Sequence, residues 1–356
     1  MLCRSIRFCL LISLLFSLAA AQSSQPSGDA WPLYSQAIQC ITLGDRANIC
    51  SPAASSLEYA DYPPYPAEWM RMETASYAFN VPARALVREA RSRTTAYWLQ
   101  LDAAGKIDMS YMNGCRNLAN EVGDAALFQH LQGDDAGAIE SVRDLRHLAD
   151  LLDGPENKMI VQSLVALGVR LISDHRLEVI TSDVALTDGP AESKKLQIST
   201  AKTLVGQLFD NEDPALRYAK FNLAQGDHTL IQLRRGQMEN NLAAMSLACH
   251  VFRFEKHRWP ASLEELTAYL PAVPHDVWGP MGYALVRRQP GNAERPLVYS
   301  HCNSRDGMFY SVSEPQYSWD PGLGSGDIRK QGGQFRDVTL WAPANPNPGP
   351  TTRPLE

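Results

Sequence analysis

Histidines and acids at helical spacing are the first places to look for chemistry in this chain. His250 and His257 lie seven residues apart, two turns along one helix face, with Glu255 close to the second. Such a pair could begin a metal site, yet neither an HExxH run nor a third ligand at a suitable distance accompanies it. A partly exposed structural histidine is the plainer reading. Asp174, His175 and Glu178 form a grouping of the kind common on helix surfaces. His275 and Asp276 precede a tight turn, where aspartate more often bonds backbone N–H groups than catalyses. Gly322, Gly324 and Gly326 imitate a phosphate cradle, but no helix follows to supply a dipole, so the run reads as a loop. The chain has no G-x-S-x-G elbow, no P-loop and no strand-borne G-x-G-x-x-G. No catalytic residue is assigned.

Charge narrows the partners. The chain of 356 residues carries a formal charge of −6 and no clustered basic stripe. Nucleic-acid affinity rests mainly on phosphate neutralisation, so the chain reads as a poor nucleic-acid binder and no nucleic-acid partner is expected. Arg84, Arg88 and Arg91 do share one helix face, and they read as a solvated face with neighbouring acids.

Residues 1–21 read as a signal peptide rather than as part of the fold. Arg4 and Arg7 precede an apolar run from residue 8 to 18, and Ala19, Ala20 and Ala21 suit a small-residue cleavage site. The run is short for a bilayer crossing, which takes roughly 20 apolar residues. An uncleaved N-terminal anchor is the alternative. No later segment is apolar enough to span, so the mature chain is expected in the periplasm or outside the cell. Losing Arg4 and Arg7 brings its charge to about −8.

An exported chain can form disulfides. Of seven cysteines, Cys3 and Cys9 leave with the signal, and Cys40 with Cys50 is the natural local pair, closing a loop around Gly44. An odd remainder of five leaves at least one thiol without an intramolecular partner. Cys249 falls in an apolar helical stripe and reads as an ordinary buried residue.

A mature length of about 335 residues exceeds one ordinary core. Residues 22–66 are rich in Ser and Pro, with a short helix expected near Trp31 to Cys40. Residues 67–235 read as a helical domain, an irregular bundle or helical-hairpin array. Its apolar positions include Ala85, Val87, Ala90 and Tyr97, then Leu145, Leu148, Leu151 and Leu152, then Ile160, Leu164, Leu167, Val169 and Leu171. Glycine and acids punctuate it. Residues 133–139 look like the inter-helix turn of a tetratricopeptide-type repeat, but no second copy appears at a fixed period.

Residues 236–341 have a different pattern. Leu242, Met245, Cys249 and Phe252 recur at spacings of three and four and line one helix face. Proline at Trp259-Pro260 stops that helix. Ser262 and Glu265 then form a capping-box pattern, followed by a second helix burying Leu263, Leu266, Tyr269 and Leu270. Strand-like runs follow at 283–287, 296–300, 308–312 and 338–341, which suggests a small antiparallel sheet. No alternating strand pattern precedes residue 280. Residues 342–356 are a Pro-rich tail with a disordered composition.

This order resembles the periplasmic domain of type II secretion major pseudopilins. The matching features are Trp259-Pro260, residues 262–270, Asp276, Trp278, Gly279, Tyr283, Gly332-Gly333, and Asp337 with Trp341. The likeness covers about 100 residues, less than a third of the chain. It implies a small α+β module that binds and assembles. It also implies a calcium loop in which Asp337 matches a family position and Asp320 and Asp327 could add oxygens, although Arg329 and Lys330 would repel the ion. One departure is large. A pseudopilin's filament helix is apolar and N-terminal, whereas residues 234–241 are polar and far from the N-terminus, so filament assembly through that helix is not expected.

The expectation is thus a mainly α, exported, non-catalytic protein of the bacterial envelope, binding another envelope protein or polymer. The alternatives are an envelope hydrolase with a carboxylate or histidine site in the cleft between the two parts, and a secretion-system accessory.

Overall fold

In a computed structural model of the chain, the described residues are 28–46, 65, 67–98, 110–154, 159–181, 183–191, 193–209, 227–272, 283–286, 297–300, 304–305 and 308–309. The fold is mainly helical. Among these residues there are eight helices: α1 (Trp31–Arg46), α2 (Ala67–Phe79), α3 (Val81–Ala90), α4 (Ser110–Leu131), α5 (Asp135–Leu152), α6 (Ile160–Thr181), α7 (Ile198–Leu208) and α8 (Asp227–Lys256). The expected signal peptide, the Pro-rich tail and most of residues 47–66 lie outside the described residues.

Local chemistry sets the hairpin between α4 and α5. Gly133 takes φ +74°, which suits a residue without Cβ. Asp134 then caps α5 by accepting the Gly137 N–H at 3.0 Å. The inter-helix turn expected at 133–139 is present as a turn and a capped start.

Helices α4, α5 and α6 pack on one another in sequence, α1 lies on α3 and α4, and α2 lies on α4. An apolar cluster under α1 holds Tyr34, Trp98, Leu118, Leu145, Leu148 and Leu152, all fully enclosed. Trp98 stacks between Tyr34 and Tyr111, and its indole N–H donates to the Leu151 carbonyl at 3.0 Å. A second cluster joins α5, α6, α7 and α8 with Trp259, Leu266 and Leu270. That cluster runs without a break across residue 236, because α8 begins at Asp227 and carries the polar run 234–241 inside a continuous helix.

Several sequence expectations shift by a frame. In α3 the buried face is Ala83, Val87 and Ala90, while Ala85 is exposed and Tyr97 lies beyond the helix, 47% exposed. In α6 Leu164 is exposed, and Gln162, Val165, Ala166 and Val169 turn inward instead. Residues 242–252 of α8 are buried on all sides rather than along one stripe, because α6, α7 and the turn after α8 surround them. The capping box does not form. Arg258 grips Glu265 with two hydrogen bonds of 2.7 and 2.9 Å, and Glu265 accepts from the Ala261 N–H. The chain there makes one 3₁₀ turn, Glu264–Leu266, yet still seats Leu266 and Leu270 in the core.

Strands are few. A parallel pair, β1 (Leu186–Thr187) with β2 (Leu196–Gln197), stands before residue 280, where none was expected. Two residues are too short to show alternation, and burial of Leu196 fixes the pair. β3 (Tyr283–Val286) pairs antiparallel with β4 (Leu297–Ser300), and β5 (Ser304–Arg305) with β6 (Met308–Phe309). Among the described residues these form separate two-stranded ribbons, and the strand expected at 338–341 lies outside them.

Candidate functional site

The residues first picked for chemistry do not converge. His250 is buried edge-on against Trp259, with ring centroids 5.2 Å apart. His257 is exposed at φ 56°, in the left-handed turn that ends α8. Glu255 pairs with Lys202 and accepts the Tyr269 hydroxyl at 2.7 Å. Among the described residues, no group of three or more His, Cys, Asp or Glu side chains is placed to hold a metal ion. His275, Asp276, the 322–326 glycines and the proposed calcium residues Asp320, Asp327 and Asp337 lie outside the described residues. So does Cys50, and Cys40 is a buried free thiol.

The expectation of a surface grouping at Asp174, His175 and Glu178 is corrected. Asp174 and Glu178 are 4% and 1% exposed, because this part of α6 faces α4, α5 and α8. Asp174 accepts from Arg146 of α5 at 2.8 Å, and Arg146 also reaches Ser173 and Asn240 of α8. Burial raises the Asp174 pKa to about 6, with Arg146 opposing the rise. Arg84, Arg88 and Arg91 do meet acids, but interhelical ones: Arg88 binds Asp144 at 2.7 Å, and Arg91 binds Glu140 and Asp144.

A different polar centre emerges between α2, α4 and α6. The buried face of α2 is Trp69, Glu73 and Ser76, at helical spacing, so Glu73 occupies a position that would ordinarily be apolar. Opposite it, α4 presents Glu121 and Asp124 on one face. Between them stands Gly123, where a Cβ would meet Ile172 Cγ2 at 2.9 Å, so glycine lets α6 close against α4. That approach brings Arg176 of α6 onto Asp124 at 2.8 Å. Ser76 donates to Glu121 Oε2 at 2.7 Å, and Arg84 of α3 stands 3.7 Å from Glu121 Oε1. Arg84 also donates to the Tyr77 carbonyl and lies over the Tyr77 ring.

Glu73 itself is 2% exposed, and its Oε1 has no hydrogen-bond partner among the described residues. Burial, then the Asp124 and Glu121 carboxylates, push its pKa up to about 10, against the pull of Arg84 and Arg176. Burial also raises Glu121 and Asp124, which hydrogen bonds and arginines hold back. The arrangement favours the neutral form of Glu73, the one of the three carboxyls without an arginine within salt-bridge distance among the described residues.

Glu73 escaped sequence reading because a lone glutamate in a helix looks like a surface residue. The available signal was its place between Trp69 and Ser76, together with Glu121 and Asp124 set in a run of Leu118, Ala119, Val122, Ala125 and Ala126. No protein-family model, curated protein or solved structure matches the chain.

Proposed function

We propose that this chain is an exported, non-catalytic binding or structural protein of the bacterial cell envelope. Its helical array presents a fixed surface to another envelope protein or polymer, and a pseudopilin-like module follows. One observation carries the reading: the buried carboxyls of Glu121, Asp144, Asp174 and Asp124 are each engaged by an arginine of another helix. Arg84 and Glu121 join α3 to α4, Arg88 and Asp144 join α3 to α5, Arg146 and Asp174 join α5 to α6, and Arg176 and Asp124 join α6 to α4. Buried pairs add little net stability over apolar packing, but an unmatched partner is costly, so they select one arrangement of the helices. A rigid array suits recognition by a surface. The Trp259-Pro260 turn and the antiparallel β3–β4 ribbon support the module. None of the described helices is long and apolar enough to cross a membrane.

The test is photo-crosslinking in living cells. A photoreactive residue at each of the exposed apolar positions Val81, Tyr97, Val161 and Leu164 samples the helical surface. The reading expects a discrete adduct with an envelope component from at least one position. Uniform labelling, or none, from all of them would count against it.

A further inference from the structure

We infer that Glu73 carries a proton in the folded protein and that this proton latches α2 onto α4 and α6. Its loss releases the helix and uncovers the apolar surface beneath.

The geometry of the cluster carries the inference. Acting on Glu73 are Glu121 and Asp124 on α4, Arg84 on α3 and Arg176 on α6. Around those groups in turn stand Tyr65 and Glu178 by Asp124 and Arg176, His175 by Asp124, and Tyr77 under Arg84. Asp124 is matched by Arg176 and Glu121 by Arg84, while Glu178 lies 3.6 Å from His175. Glu73 is the fourth carboxyl. Among the described residues it has neither a cation within salt-bridge distance nor a hydrogen-bond donor at Oε1. A buried carboxylate without either is strongly disfavoured, and the group neutralises by holding its proton. Electrostatics agree in direction, since burial and two neighbouring carboxylates push the group up to about 10.

Ionising Glu73 in place would set its negative charge against the Glu121 and Asp124 carboxyls. The repulsion is relieved when α2 lifts and Glu73 reaches water. Trp69 with Tyr65 packs on Leu127, Phe128 and Val179, Met70 and Tyr77 lie along the same cluster, Ser76 bonds Glu121, and Arg84 donates to the Tyr77 carbonyl. The opening must break these contacts as well. Lifting the helix would expose that apolar strip.

The sign follows from proton linkage. Docked α2 holds a proton that undocked α2 releases above the ordinary carboxyl range. Docking is therefore strongest in acid and weakens steadily as pH rises towards about 10. One proton released per opening makes the opening equilibrium rise about tenfold per pH unit across that window.

Two measurements on the full chain test this. Difference infrared spectra at about pH 8 should show the C=O stretch of a protonated carboxyl, absent in Glu73→Gln. Hydrogen exchange of residues 67–79, corrected for the intrinsic pH effect, should show α2 opening rise about hundredfold from pH 6 to pH 8 in the natural chain. In Glu73→Gln, whose amide mimics the neutral acid, the opening should rise far less with pH, leaving only what Glu121 and Asp124 contribute. A missing carboxyl band would overturn the latch. So would an equal pH slope in the two proteins, or an α2 already open in Glu73→Gln in acid.

Discussion

Arg176 on α6 donates to Asp124 on α4 at 2.8 Å, across an interface that narrows beside Gly123. The pair depends on the glycine. A methyl group at position 123 would press on Ile172 and stand 3.4 Å from Arg176 Nε, so α6 must retreat and the pair must lengthen.

Gly123→Ala is therefore expected to destabilise the protein by about 1–3 kcal/mol, the usual scale for overpacking. Gly114→Ala should act similarly where α1 meets α4, because its Cβ would stand 2.6 Å from Ile38 Cγ2. Gly168→Ala is the control, since nothing lies within 4 Å of a Cβ there. Urea unfolding of the three variants checks the ranking. Equal stability of Gly123→Ala and Gly168→Ala would show that the helices are not in such close contact.

Asp174 should leave a signature in the pH dependence of stability. Its folded pKa of about 6 exceeds the ordinary aspartate value of 3.8, so the folded state binds more protons between those limits. Its contribution is complete below the lower limit and is lost as pH rises through the upper one, a change of about 2–3 kcal/mol. The stability difference between the natural chain and Asp174→Asn should change with pH between these limits and level off above about 6. A difference independent of pH throughout would refute this.

Arg146→Met tests the junction of α5, α6 and α8 from the other side. It keeps much of the aliphatic bulk but leaves Asp174 in the interior without its guanidinium. Arg146 is about a quarter exposed, which weakens the pair, so a loss of about 2–3 kcal/mol is expected near neutral pH. In acid, with Asp174 neutral, the loss should shrink. A penalty that stayed constant would assign the effect to packing.

The cysteines give a direct check of the core. Cys115 and Cys249 are fully buried, and burial holds their thiols well above the ordinary range. Maleimide should label neither in the folded state and both after unfolding. Rapid labelling of either at neutral pH would mean that the helices around it open.

What could be read in the sequence follows from what repeats locally. The turn at Gly133 and Asp134 was legible because a left-handed glycine and an aspartate cap leave a residue signature. So was the apolar length of α8. The inward side of α6 was not, because Leu164 and Val165 are equally apolar and only the neighbouring helices decide which one turns inward. The polar centre was illegible for a related reason. Arg84, Glu121 and Arg176 stand far apart in the chain, and each alone looks like a surface residue. Only the packing of α4 on α6 at Gly123, with α2 laid across α4, brings them around Glu73.

The central claim is that the buried charges hold a binding scaffold together rather than turn over a substrate. Photo-crosslinking from the exposed positions, in the natural chain and in folded Glu73→Gln, tests it most directly. The account predicts the same discrete envelope adduct from both proteins at a pH where α2 is docked. No adduct from either, or processing of an envelope glycan or peptide by the natural chain that Glu73→Gln abolishes while still folded, would contradict it.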